Sequence, residues 1–334
     1  MDIFTDFISR FFAQFQSPAL AFLIGGMALA GFKSKLQIPT AIYQFAVFML
    51  LIRIGMHGGM EIKNAEFSAM VLPIILTIIV GVSIVFFGSF ILRRLPNIKA
   101  DDGIATAGLF GAVSASTLAA AMALMEDNNL SYEAWAPALY PFMDIPALIL
   151  AIILANMALN KTDNKTSKNA NIRFIIKDSL RSSALSALIL GMAIGLLTKP
   201  DIVFEGFYDP LFKGLLSILM LIMGMEAYTR LNELRRVAHW YAIYGLVAPI
   251  IHGFIGFGMG YIAHIATGFS PGGVVLLAIM AASSSDVSGP PTLRASIPTA
   301  NPSSYIGSST SVGTPVAIGI CIPLFMALAN AIFQ

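Results

Sequence analysis

Long apolar runs separated by short polar ones dominate the chain. A helix needs about 20 mostly apolar residues to cross a bilayer. About ten runs have that character: 17–33, 40–60, 69–92, 103–125 and 137–158, then 183–198, 211–229, 240–267, 273–294 and 310–332. They take up most of the sequence and leave no room for a soluble domain. The longest polar stretch, Asn160 to Lys177, reads as a linker. The first 16 residues differ. Ile3, Phe4, Phe7, Ile8, Phe11, Phe12 and Phe15 recur at helical spacing, with Asp2, Asp6, Arg10 and Gln14 on the other face. That pattern predicts an amphipathic helix over 1–16 lying in the membrane interface. The predicted fold is an all-α polytopic membrane protein.

Composition points the same way. Apolar residues make up 57% and charged residues 11%, against about 25% charged in soluble proteins. Twenty Lys and Arg face 18 Asp and Glu, a net charge of +2. This excludes a soluble enzyme, a disordered chain and a nucleic-acid binder, whose phosphate groove needs basic residues in excess. The single cysteine, Cys321, excludes an intrachain disulfide framework and a thiolate metal cluster. The sequence has no HExxH, no CxxC and no Walker A motif. No enzymatic activity and no cofactor are expected, so uphill transport would have to draw on an ion gradient.

The basic residues orient the chain. Fifteen of the 20 fall in the loops after the first, third, fifth, seventh and ninth runs; the others are Arg10, Arg53, Lys63, Lys199 and Lys213. The positive-inside rule puts the fifteen in the cytoplasm. The expected arrangement is a multi-pass inner (plasma) membrane protein with both termini outside and the central loop cytoplasmic.

The two halves echo each other. Gly25 to Gly31 resembles Leu190 to Leu196, and Phe48 to His57 resembles Leu216 to Glu226. Gly111 to Thr117 falls where Ala281 to Val287 falls, and Leu154 to Asn156 matches Leu328 to Asn330. Four short words in the same order form a repeat signal. Five spans is an odd number, so the second copy enters the membrane upside down. The expectation is a 5+5 inverted repeat, 17–160 and 183–334, joined by a cytoplasmic linker over 161–182. Inverted repeats are a construction of secondary transporters, with the site near the midplane where matching broken helices meet.

The fourth and ninth runs are the broken pair. One carries Gly108, Gly111, Ser114, Ala115, Ser116 and Thr117; the other carries Ser283, Ser284, Ser285, Asp286, Ser288, Gly289, Pro290 and Pro291. Paired prolines end a helix by removing N–H donors and crowding the preceding turn. A break in hydrocarbon persists only where it lines a cavity or is buried in protein. Half-helix N-termini offer free N–H groups to a small anion. Hydroxyls and unwound carbonyls suit Na⁺, and Asp286 is the one ionisable residue in the middle of its segment. With no Lys or Arg beside the break, an anion there would need a cation travelling with it. The substrate-binding candidates are Ser114, Ala115, Ser116, Thr117, Ser283, Ser284 and Ser285. The sodium candidates are Asp286, Ser288 and Ser116. The alternative use of any one serine is a bond to its own helix or a neighbour.

Other polar residues rank lower. Asp144 sits between Pro141 and Pro146, either in the site or bonding freed backbone N–H groups. Ser309 and Thr310 precede Pro315 and could complete the cavity wall. Arg53, His57 and Glu226 are near span ends, where snorkelling to the interface is expected. His252 lies deeper and reads as a helix–helix contact.

Gly108 to Thr117, Ser131 to Trp135, Tyr140 to Leu148, Tyr208 to Phe212, Leu219 to Glu226, Ala282 to Arg294 and Asn301 to Ser309 resemble the cyanobacterial sodium-dependent bicarbonate transporter family, SbtA. The resemblance covers essentially the whole chain, although the linker looks shorter than in some relatives. It implies Na⁺/HCO₃⁻ symport feeding a carbon-concentrating mechanism, with Na⁺ as coupling ion. It also implies a homotrimer, an elevator-like movement, and inhibition by a cytoplasmic PII-like regulator, SbtB. Each protomer would divide into a core (69–158 and 240–332) and a gate (17–60 and 183–229). Competing readings are a sodium symporter for another small anion or organic acid, a gated anion channel, and an anion receptor.

Overall fold

The computed structural model describes residues 18–62, 67–162, 183–234, 239–286 and 289–333. The predicted helix over 1–16 and the linker from 163 to 182 lie outside them. The described residues contain helices and turns and no strand. In chain order the helices are α1 Pro18–Gly31, α2 Thr40–Ile62, α3 Phe67–Leu92, α4 Ala100–Gly111, α5 Ala115–Asp127 and α6 Tyr140–Thr162. They continue with α7 Ser183–Leu197, α8 Asp209–Leu234, α9 His239–Thr267, α10 Pro271–Ala282, α11 Gly289–Ser296 and α12 Pro302–Phe333.

Among the described residues, seven helices are long and apolar enough to cross a membrane: Thr40–Met60, Ser68–Leu92, Ala100–Asp127, Ala136–Ala158, Asp201–Glu226, His239–Thr267 and Pro302–Phe333. Three apolar helices are shorter: Ala21–Gly31, Ser186–Leu197 and Pro271–Ala282. The protein is an all-helical, polytopic membrane protein.

One predicted boundary is wrong. The last helix begins at Pro302, not at 310. Asn301 caps it by accepting from Ser303 N–H at 3.0 Å, and Pro302 at the first helical position has no N–H to leave unpaired. The serine-rich stretch ahead of 310 is therefore helical. It widens into π-helical turns at Ser309–Gly313 and Ala317–Cys321. Pro315 lies between them, where it removes one i→i−4 bond and crowds the preceding turn.

The two discontinuous pairs, α4–α5 and α10–α11, form the centre. Every residue from Asp102 to Met125 and from Gly272 to Ser285 is buried. α3 and α6 pack on α4, while α9 and α12 pack on α10. The outer faces of α3 and α9 present Phe86, Phe87, Phe90, Ile251 and Phe254, an apolar surface suited to lipid.

The remaining four helices pair crosswise, α1 with α8 and α2 with α7. The α2–α7 seam is built on Gly55 and Gly59 facing Gly191 and Gly195. A Cβ on Gly55 would come within 3.0 Å of Gly191 Cα, and one on Gly59 within 3.0 Å of Gly195 Cα. This is the small-residue spacing that lets membrane helices approach backbone to backbone.

Candidate ion site at two crossing breaks

α4 stops at Gly111 because Ala112 turns extended (φ −93°, ψ 159°). Ser114, also extended, starts α5 as its N-cap, with Oγ accepting from Thr117 N–H at 3.1 Å. α10 stops in the same way at Ser283 (φ −77°, ψ 173°). Residues 283–286 are unwound, and α11 restarts at Gly289 with Pro290 and Pro291 following. Gly289 N–H donates to Ser285 Oγ at 2.9 Å.

The unwound strands cross and satisfy each other. Ser114 N–H donates to Ser283 Oγ at 3.0 Å, and Ser285 N–H donates to Leu109 O at 2.9 Å. Ser283 Oγ in turn donates to Met280 O at 2.8 Å. Val113 N–H donates to Asp144 Oδ1 at 3.1 Å. These bonds account for backbone groups that would otherwise be stranded away from water, each at a cost of several kcal/mol. They also place the start of α5 beside the break in the other repeat. The first N–H groups of a helix have no intrahelical acceptor, so Ala115 and Ser116 present theirs at this crossing.

Asp286 closes the constellation. Its Oδ2 accepts from Ser116 Oγ and, at 3.0 Å, from the hydroxyl of Tyr43 on α2. Its Oδ1 is buried and has no hydrogen-bond partner among the described residues, and the same is true of Thr117 Oγ1. Ser114 Oγ and Ser116 Oγ are 3.0 Å apart. A buried carboxylate oxygen without a partner, next to the linked hydroxyls of Ser116 and Ser114, is a set of hard donors suited to a cation that prefers oxygen.

The structure thus gathers Ser114, Ala115, Ser116, Thr117, Ser283, Ser285 and Asp286. Ser284 turns away and donates to Ser309 O at 3.3 Å. Ser288 lies outside the described residues. Asp144 is fully buried behind the break, bonding the freed N–H of Val113. Ser309 and Thr310 spend their hydroxyls on the Ile306 carbonyl of their own helix, at 3.3 and 2.7 Å. His252 packs edge-on against Phe110 and Tyr244.

Sequence reasoning missed two partners. Tyr43 is one. Its link to Asp286 spans most of the chain, and nothing in its neighbourhood marks it. The other is Arg53, expected to snorkel but in fact buried. Its guanidinium bonds Glu126 at 2.7 and 3.3 Å and Asp209 at 2.5 and 3.2 Å, and lies 4.1 Å from the Phe212 ring centroid. Burial holds it because two carboxylates and an aromatic face replace water. Tyr132 donates to Glu126 at 3.3 Å. Burial and then the Glu126 charge raise the pKa of this phenol, so it stays a neutral donor.

A family model of the Na⁺-dependent bicarbonate transporter superfamily matches residues 18–330. The chain belongs to this superfamily. A search of curated proteins returns no match. Membership places the protein in a family of membrane transporters whose ions are sodium and bicarbonate. In this transporter the matched segment contains both breaks, α2 with Tyr43 and Arg53, and all of the gathered hydroxyls.

Proposed function

We propose that the transporter is a Na⁺-coupled bicarbonate symporter that imports HCO₃⁻ for inorganic carbon concentration. The observation that carries this reading is the crossing itself. A helix N-terminus with unused N–H groups stands next to a carboxylate with an unused oxygen. An anion goes to the N-terminus of α5, among Ser114, Ala115, Ser116 and Thr117, with Ser283 and Ser285 beside it; Ser284, bonded to Ser309 O, stands apart. The sodium goes to Asp286, with Ser116 and Ser288. Among the described residues the buried arginine is Arg53, and it is committed to Glu126 and Asp209. A guanidinium so engaged is not offered to an organic carboxylate, which favours a small anion compensated by sodium.

The 5+5 inverted repeat is part of this reading. A two-fold relation that carries α1 to α7 and α2 to α8 turns the α1–α8 contact into the α7–α2 contact. Both are major seams, and their glycines face each other reciprocally: Gly26 meets Leu221 and Met225, while Gly224 meets Leu23 and Met27. On this basis the core is 69–158 and 240–332, the gate is 17–60 and 183–229, and alternating access is elevator-like. Assembly as a homotrimer in the plasma membrane, both termini outside, and control by an SbtB-like regulator belong to the same proposal.

The energetics agree. Moving one anion inward against 100 mV costs about 2.3 kcal/mol, and one co-transported Na⁺ cancels that term. A tenfold sodium gradient then supplies about 1.4 kcal/mol, or tenfold accumulation. The test is radiolabelled bicarbonate uptake into proteoliposomes with Na⁺ or K⁺ outside. Accumulation above equilibrium only with the Na⁺ gradient supports symport. Sodium-independent flux that stops at equilibrium would mean a channel, and strong competition by pyruvate or acetate would mean an organic-acid carrier.

A further inference from the structure

Tyr43 stands in the first turn of α2, outside both broken helices, yet its phenol reaches Asp286 Oδ2. Ser116 Oγ, from α5, donates to the same oxygen. The other oxygen, Oδ1, is buried and bare among the described residues. The carboxylate is therefore unsymmetrical, with one oxygen held by two hydroxyls from two different helices. The terminal torsion of an aspartate is broad and two-fold, so left alone the two oxygens would exchange. The two donors decide which oxygen stays free. A buried, bare carboxylate oxygen is unfavourable until a donor or a cation meets it. Thr117 Oγ1, on the residue after Ser116, is also buried without a partner among the described residues.

Tyr43 has a second connection to the site. Ten residues further along α2, about 15 Å, Arg53 binds Glu126. Glu126 is also ten residues beyond Ser116 on α5. α2 and α5 thus run in the same direction, tied directly at Arg53–Glu126 and, at the other end, through the shared Asp286 oxygen. In this conformation the two ties set the phenol beside the Ser116 hydroxyl.

We propose that Tyr43 is a positioning residue for the coupling cation: it pins Asp286 Oδ2 so that Oδ1 is presented to Na⁺. This rests on the reading of Asp286 as a sodium ligand. Tyr43 itself does not ligate the ion. It acts through the carboxylate and makes sodium affinity depend on where α2 stands relative to the crossing.

The experiment is a Na⁺ titration of bicarbonate uptake by the full-length protein in proteoliposomes. For Tyr43→Phe the half-activating Na⁺ concentration should rise about tenfold, the factor for losing one hydrogen bond to a charged group. The rate should recover at saturating Na⁺. In an Asp286→Asn background the same substitution should add nothing. A lower rate at every Na⁺ concentration with an unchanged half-activating value would overturn the proposal, because it is what a merely structural tyrosine gives. The two failures separate cleanly. If Asp286→Asn keeps the wild-type Na⁺ titration, the sodium reading itself fails. If Asp286→Asn abolishes Na⁺ activation and Tyr43→Phe shifts nothing, only the role of Tyr43 falls. Should Tyr43→Phe give too little active protein for uptake, its Na⁺-dependent thermal stabilisation in detergent is the second readout: it should need about tenfold more Na⁺ than the wild type, and an unshifted midpoint would overturn the pinning of Oδ2.

Discussion

Arg53 and Glu126 meet through two hydrogen bonds, at 2.7 and 3.3 Å, in the space between α2 and the far end of α5. The arginine side chain is 9% exposed, while Glu126 and Asp209 are 31% and 50% exposed. The carboxylates keep some water, so losing the arginine should cost less than the 3–5 kcal/mol of a wholly buried pair. Arg53→Gln is expected to destabilise by about 1–3 kcal/mol. In thermal unfolding of the detergent-solubilised protein the order should be Arg53→Gln worst, Glu126→Gln next and Asp209→Asn mildest. Arg53→Lys should not restore stability, because an ammonium cannot make the forked contact with Glu126. Equal effects from all three neutralising changes would show that the network is not centred on Arg53.

Asp144 and Asp286 are both intramembrane acids, but their partners differ. Asp144 accepts a backbone N–H from the break, a role an amide oxygen can also fill. Asp144→Asn should keep Na⁺-dependent uptake, whereas Asp144→Leu should lose about 1–3 kcal/mol of stability by stranding Val113 N–H. Uptake kinetics and melting curves of the two variants decide this. A Na⁺ half-activation that shifts strongly in Asp144→Asn would move Asp144 into the ion site.

The α2–α7 seam leaves no room for a methyl group. Gly55→Ala and Gly191→Ala should each destabilise by about 1–3 kcal/mol, the usual range for overpacking. Gly25→Ala and Gly214→Ala, where a Cβ meets nothing within 4 Å, should be near neutral. If the two pairs melt alike, the seam is not as tight as its backbone contacts indicate.

Much of this architecture was legible in the sequence, and the reason is physical. Hydrocarbon forces every span to show its length as an unbroken apolar run, so α2, α3 and α9 announced themselves. The break at Ser283 to Gly289 was legible too, because Pro290 and Pro291 cannot continue a helix and hydroxyls must replace its missing bonds. Tyr43 was not, since a phenol on an apolar helix looks like any interfacial aromatic until the fold brings Asp286 to it. Arg53 was misread for a related reason: its counter-charges Glu126 and Asp209 lie on two other helices, and without them snorkelling is the expected fate. The start of α12 was placed late because the apolar run begins only after the serines that follow Pro302, while the cap at Asn301 depends on a single side-chain bond.

Asp286 carries the central claim, that one carboxylate at the crossing couples sodium to an anion. The most direct test is radiolabelled bicarbonate uptake into proteoliposomes, titrated with Na⁺, for the wild type and Asp286→Asn. The account predicts saturable Na⁺-dependent accumulation in the wild type and none in the variant, with the variant still folded by size-exclusion and melting. Wild-type uptake and Na⁺ dependence in Asp286→Asn would contradict it.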